Sequence, residues 1–380
     1  MAIYLDNAAT TPMEPEVLEA MIPMMKEHYG NPSSIHALGR KTRTAIENAR
    51  KSIAKLINAS PGEIFFTSGG TEADNMAIVK TIEDFDIKHA ITSKIEHHAV
   101  LHTLEELEKS GDIKLSYVGL DKDGMVDLNQ LEQLLSSHDR TLVSLMHANN
   151  EIGNLLPLAQ VGELCEKYNA ILHSDTVQTM GHYVHDVKAL KVHFIVGAGH
   201  KFHGPKGVGF VYISSDIKIH PLIHGGSQER NMRGGTENVY GIIGLAKALE
   251  IAYQDMHEHQ HHVQSLKTYM IEELKKNIAG TEFNGTAEMP EKSLYTVLNV
   301  RFPKTPNAEM LLFNLDIAGI CVSAGSACTS GSNQGSHVLR GIGSDMNRPS
   351  LRFSFSKYNT KEEIDIVIEK LKELFSTAAN

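Results

Sequence analysis

Apolar residues recur along this chain with two different periods, and the change of period divides it. Short runs rich in β-branched and aromatic residues at 64–67, 90–93, 115–118, 141–147, 170–174, 192–196 and 208–213 read as strands. Between several of them the spacing turns helical, from about Met76, from about His97 to Lys109, and from Val161 to Tyr168. Strand, loop, helix, strand repeating from residue 60 to 213 predicts a mostly parallel sheet with helices on both faces. Ahead of it, helices are predicted over 15–29, with Val17, Met21, Met24 and Met25 in phase, and over 37–58, with Ile46, Ile53 and Leu56 on the buried side. One long helix is predicted from about Val239 toward Ile278. After Gly280 the pattern becomes mixed: a strand at 296–300, a helix at 308–315, a further strand at 351–354 and an amphipathic helix at 362–375. The expected fold class is α/β, with a large sheet domain over 15–255 and a smaller α+β domain from 1–14 and 256–380.

The polar residues that stand out all come after predicted strands. Ligands in open α/β sheets bind beyond the carboxyl ends of the strands, so Thr71, His97, Asn150, Asp175, Gln178 and Lys201 are expected to converge. The run Gly197-Ala198-Gly199-His200-Lys201-Phe202-His203-Gly204-Pro205-Lys206-Gly207 sets lysines among glycines at the junction of two strands. An amine there becomes a nucleophile toward carbonyls when desolvation or neighbouring cations favour its neutral form, and His200 and Lys206 are candidates to supply that setting. Ser68-Gly69-Gly70-Thr71 joins a strand to a helix start, which suits either an anion held on free N–H groups or a plain N-cap by Thr71 or Ser68. His97 reads equally as chemistry or as a cap. His257 and His261 share one helical face, but without acidic or thiol partners a solvated face is the better reading, and no metal site is expected.

Of three cysteines, Cys165 lies inside a helical pattern and is expected to be a buried, inert thiol. Cys328 differs, because the small polar residues and glycines of 323–336 cannot build a core, which predicts a mobile loop carrying an accessible thiol. Three cysteines at irregular spacing form no disulfide framework.

The 380 residues carry a net charge of -10 with the basic residues scattered, which argues against nucleic acid or an anionic membrane as partner. No run approaches the ~20 apolar residues of a membrane span, and residues 1–12 lack a signal-like pattern, so a cytoplasmic location is the default.

A lysine amine, a carboxylate for a ring nitrogen and a phosphate cup together are what pyridoxal phosphate asks of a protein. Lys201, Asp175 and the turn around Gly70 and Thr71 offer all three. In these residues the chain resembles the cysteine desulfurases, in the class V aminotransferase group of fold type I pyridoxal phosphate enzymes. The motifs that carry the resemblance are Leu5-Asp6-Asn7-Ala8-Ala9-Thr10-Thr11, Thr67-Ser68-Gly69-Gly70-Thr71-Glu72-Ala73-Asp74-Asn75, Asn149-Asn150-Glu151-Ile152-Gly153, Gly199-His200-Lys201, Arg233-Gly234-Gly235-Thr236 and Gly325-Ser326-Ala327-Cys328-Thr329-Ser330, in family order. The long loop around Cys328 is similar to that of the branch serving iron–sulfur cluster assembly and thiolation.

The resemblance implies that L-cysteine is converted to L-alanine while Cys328 takes the sulfur as a persulfide. It implies that Lys201 holds the cofactor and moves a proton, that His97 stacks on the ring, and that Asn150 and Gln178 address cofactor oxygen and substrate. Arg352 would clamp the substrate carboxylate as a fork. Thr236 would reach the phosphate of a neighbouring subunit, which implies a homodimer, and a scaffold or other acceptor protein would receive the sulfur. One position departs: the family usually has a hydroxyl residue where this chain has Ala198, which predicts a weaker phosphate cup. The rival readings are another class V enzyme, an aminotransferase or kynureninase-like hydrolase, and a non-catalytic sulfur-relay subunit. Cys328 speaks against the first pair, and retention of Lys201, Asp175 and His97 against the second.

Overall fold

The structure is a computed structural model that describes residues 2–306, 308–324 and 335–376. Cys328 therefore lies outside the described residues.

The chain opens with β1 (Ile3–Tyr4), α1 (Pro15–Lys26) and α2 (Ala37–Leu56). It then builds a seven-stranded sheet from β2 (Ile64–Thr67), β3 (His89–Thr92), β4 (Lys114–Tyr117), β5 (Thr141–Ser144), β6 (Ile171–Ser174), β7 (Phe194–Ala198) and β8 (Gly209–Ile213). Helices α3 (Gly70–Phe85), α4 (His98–Lys109), α5 (Leu128–Ser136) and α6 (Leu158–Lys167) connect these strands. Across the sheet the order is β2-β8-β7-β6-β5-β3-β4. From β4 to β7 all neighbours pair in parallel, whereas β8 runs antiparallel to both β7 and β2. The expected mostly parallel sheet is present, with β8 as the exception. Its connection from β7, residues 199–208, is too short for the helical crossover that a parallel pairing needs.

Successive strand residues feed opposite faces of this sheet. Phe66, Ile91, Val143, Leu172 and Ile195 pack with α1, α2, α5 and α6. Their neighbours Phe65, Ala90, Leu142, Ile171 and Phe194 pack with α3 and α4. Both faces are covered, which explains why consecutive residues in these strands are apolar and buried, as in Phe65-Phe66, Ala90-Ile91 and Leu142-Val143.

The predicted long helix is two helices, α7 (Val239–Gln254) and α8 (Met256–Asn277), separated by non-helical dihedrals at Asp255. Packing gives the reason. Ile242, Leu245 and Leu249 belong to the core of the large sheet, while Val263, Leu266, Met270 and Leu274 belong to another core. That second core also takes residues from β9 (Glu282–Phe283), β10 (Val297–Arg301), α9 (Leu311–Ile317), β11 (Ile320–Cys321), β12 (Ser350–Ser354) and α11 (Lys361–Ser376). A short helix, α10 (His337–Gly341), precedes β12. Strands β9, β10 and β12 form an antiparallel sheet in the order β12-β10-β9, and β1 pairs with β11 in parallel. His257 and His261 are exposed near the start of α8. No helix among the described residues is long and apolar enough to cross a membrane.

Lys267 of α8 is fully buried, its Nζ donating to Ser293 Oγ at 2.6 Å and to the Leu294 carbonyl at 2.9 Å. Burial pushes its pKa down to about 7. Between there and the ordinary lysine range the unfolded chain holds a proton that the folded chain lacks, so this group makes stability rise with pH across that window. Urea unfolding of Lys267→Met at neutral and alkaline pH should show a flatter rise than the parent protein. Equal slopes would contradict the assignment.

Candidate active site

Five of the loops that leave the large sheet on one side meet a turn of the N-terminal segment and enclose a cavity of about 240 Å³. Gly70, Thr71, His97, Asn150, Asp175, Gln178, His200, Lys201 and Arg352 all line it, together with Ala8, Ala9, Asp74 and Ala198. The convergence expected of residues beyond the strand ends is thus present, and β12 adds Arg352 from the smaller sheet.

Each side chain is positioned by its element. Gly70 opens α3, and a Cβ there would stand 2.8 Å from Val177 Cγ2, so only glycine lets the helix start come this close. Gly69 is the N-cap and no side chain caps the helix, which removes the plain-cap reading of Thr71 and Ser68. The first-turn N–H groups of such a helix lack intrahelical acceptors and carry its positive end. His97 fulfils both of its readings, since its Nδ1 accepts from Ala99 N at 3.1 Å as the cap of α4 while the ring lines the cavity. That bond assigns the ring proton to Nε2. Burial lowers its pKa, opposed by Asp175 and reinforced by Lys201.

Asp175 comes directly after β6, and its Oδ1 accepts from Val177 N at 2.9 Å. Lys201 sits in a short turn after β7, its Nζ donating to the carbonyls of Ala8 at 2.6 Å and Ala9 at 3.0 Å. Gln178 Nε2 donates to the same Ala8 carbonyl at 3.0 Å. His200 Nδ1 lies 3.2 Å from Thr10 Oγ1, and burial, helped by Lys201 and Lys206, pushes its pKa down to about 4. Arg352 is 1% exposed; Nη2 donates to Asp6 Oδ1 at 2.8 Å and Nη1 to the Asn150 carbonyl at 2.9 Å.

Two acids in or beside the cavity were not foreseen. Asp74 lies one turn into α3 from Gly70 and shares its face, a helical spacing that could have pointed to it. Glu96 is buried, holds Ser93 Oγ and Met146 N, and has its pKa raised to about 8 by burial. Thr236 stands elsewhere, in a separate concavity with Ser68, Arg233 and Gly235. Cys165 is buried within α6 with its pKa pushed up to about 12, which matches the inert reading.

The family model described as Aminotransferase class-V matches residues 3–367. The chain belongs to the class-V aminotransferase family. It is 46% identical over 376 residues to Cysteine desulfurase IscS of Dictyoglomus turgidum, covering 98% of this chain and 94% of that one. Among solved structures, a NifS-like protein superposes with a TM-score of 0.90 at 39% identity, over 99% of this chain and 100% of its own. SspA in complex with cysteine gives 0.81 at 31% identity, over 94% and 100%. The fold is that of fold type I pyridoxal phosphate enzymes.

The residues present fit that cofactor. An amine, a buried carboxylate with a single hydrogen bond, and a helix start that a Cβ would obstruct face one cavity. Ala198 ends β7 in the cavity wall with no hydroxyl to offer. Ala198→Ser adds one donor for a phosphate and is expected to tighten pyridoxal phosphate binding about tenfold, read by titrating the cofactor-free protein. Equal or weaker binding means that the phosphate is satisfied by another route.

Proposed function

We propose that the protein is a pyridoxal phosphate-dependent cysteine desulfurase, which takes sulfur from L-cysteine and releases L-alanine. The reading rests on the Lys201 amine, the Asp175 carboxylate and the first turn of α3 lining one cavity, supported by the kinship with proteins named cysteine desulfurase and by a structural relative solved with cysteine. When bound, the cofactor supplies a sink for the electron pair left by deprotonation of the substrate.

The chain's own residues do the rest. The first turn of α3, with Thr71, receives the phosphate, and Asp175 keeps the ring nitrogen protonated. His97 and His200, which line the cavity, would flank the ring. Lys201 would hold the cofactor through its amine, and that amine, when free, would move a proton at Nζ. Two half-buried neighbours, His97 and His200, have their pKa lowered by burial, which favours the neutral imidazole beside that amine. Arg352 receives the substrate carboxylate; Nη1 and Nη2 each carry a second N–H beyond those given to Asn150 and Asp6. Asn150 and Gln178 address substrate and cofactor oxygen. The Cys328 thiolate then attacks the substrate sulfur: the carbon–sulfur bond breaks, a sulfur–sulfur bond forms, and alanine leaves after protonation.

The protein acts as a cytoplasmic homodimer that passes the persulfide sulfur to an iron–sulfur scaffold or another acceptor. Leu18, Met25, Tyr29 and Ile35, exposed by 49%, 54%, 75% and 90%, are apolar side chains between residues 18 and 35 that a second copy would cover. Thr236, standing apart from its own chain's cavity, would serve the partner's cofactor. The large and small domains divide at residue 255, with residues 1–14 joining the small one.

Incubation with L-cysteine should yield alanine and, with a reductant, sulfide, both dependent on pyridoxal phosphate; absence of alanine refutes the reading. Cys328→Ser should retain the yellow colour of the loaded protein and lose the persulfide in mass spectra. A persulfide found on Cys165 or Cys321 would reassign the sulfur acceptor.

A further inference from the structure

Asp74 is 1% exposed, and both of its carboxyl oxygens are shut off from solvent without a hydrogen bond. An ionised carboxylate in that position would lose its hydration with nothing in return, a cost that such groups avoid by keeping a proton. Its neighbours come from three directions. His173 on β6 has Nε2 3.3 Å from Asp74 Oδ1. Asp175, just after β6, and His97, ahead of α4, each place a ligand-type atom within 4.8 Å of one on Asp74. Glu96, beside His97, and Lys201, after β7, complete the charged surroundings.

None of the imidazoles offers Asp74 a ready cation. His173 is fully buried, its Nδ1 is occupied by Ser144 Oγ at 2.8 Å, and burial pushes its pKa down to about 3. His97 is lowered as well. Burial, with Asp175 and Glu96 adding like charge, raises the Asp74 pKa well above the ordinary carboxylate range. Two carboxyl groups this close share a site in which one is held neutral.

We propose that Asp74 is a positioning residue for the ring-nitrogen end of the site: an un-ionised acid whose O–H is given to the Asp175 carboxylate and holds it toward the cofactor. Neither Asp74 oxygen is committed to another hydrogen bond, so either can carry the proton given to Asp175. Asp175 otherwise has the Val177 N–H on one oxygen. A donated O–H supports its negative charge, and with it the proton on the ring nitrogen. The inference rests on the cofactor reading above and extends it to a residue with an oxygen within 4.8 Å of one on Asp175.

The test uses the whole protein and two variants. Loaded protein loses its yellow band as the Lys201 linkage deprotonates, and a positive ring nitrogen lowers the pH midpoint of that loss by disfavouring a second nearby positive charge. Asp74→Asn keeps a donor and adds no charge, so its midpoint should match the parent. Asp74→Leu removes the donor, weakens the ring proton and should raise the midpoint by about one pH unit. If both variants lower the midpoint, Asp74 is ionised and the proposal fails. If neither moves it, Asp74 only packs and the proposal fails. Infrared spectra of cofactor-free protein give a second readout: Glu96, its pKa raised to about 8, contributes one buried carboxylic-acid band, so Asp74→Asn should remove a second component of the carbonyl stretch, and an unchanged band overturns the proposal. A protein that never turns yellow would defeat the functional reading, while the infrared result would still decide the state of Asp74.

Discussion

Residues 5–11 form the seam on which the cavity depends. On one side the Leu5 carbonyl accepts from Ser354 N at 2.7 Å, and Ala8 N donates to Ser354 Oγ at 2.9 Å, fixing the segment to β12. On the other, Thr11 N donates to the His200 carbonyl at 2.9 Å, and His203 N donates to Thr11 Oγ1 at 2.7 Å, fixing it to the Lys201 turn. Between these anchors its carbonyls hold Lys201 and Gln178, and Asp6 holds Arg352. The amine and the guanidinium sit on different sheets, so their separation is set by this short stretch of backbone. Buried polar groups must be paired, and here the pairing also fixes the geometry.

The interior of the site is acidic where it is driest. Glu96 and Asp74 both have their pKa raised, and burial is the first cause in each case. Charged neighbours interact more strongly in such surroundings than in water. Acids held neutral add no negative charge, so in such a cavity the Asp175 carboxylate would face a positive ring nitrogen at one end, while the free N–H groups of α3 would favour an anion at the other.

Much of this was legible in the sequence because the sheet obeys a simple rule. Asp175, Lys201 and Asn150 come after apolar runs, and a parallel sheet brings the residues beyond its strand ends to one edge. Arg352 was named only through family resemblance, since it lies within β12 and no local pattern marks it. The antiparallel β8 escaped notice because apolar runs carry no direction. The break at Asp255 escaped because α7 and α8 both keep helical periodicity while serving different cores. Asp74 and Glu96 look like ordinary polar residues near helix starts; the spacing of Asp74 from Gly70 hints at the first, and burial distinguishes both. Cys328, the residue most directly tied to sulfur transfer by resemblance, lies outside the described residues.

The amine held by Ala8 and Ala9 is assigned as the one that carries the cofactor, and the functional reading turns on that assignment. Borohydride reduction of the pyridoxal phosphate-loaded protein, followed by peptide mass mapping, tests it directly by freezing the bond to whichever lysine made it. The expected result is the cofactor mass on the peptide containing Lys201, at that residue. Label on Lys206 or another lysine instead, or none at all, would contradict it.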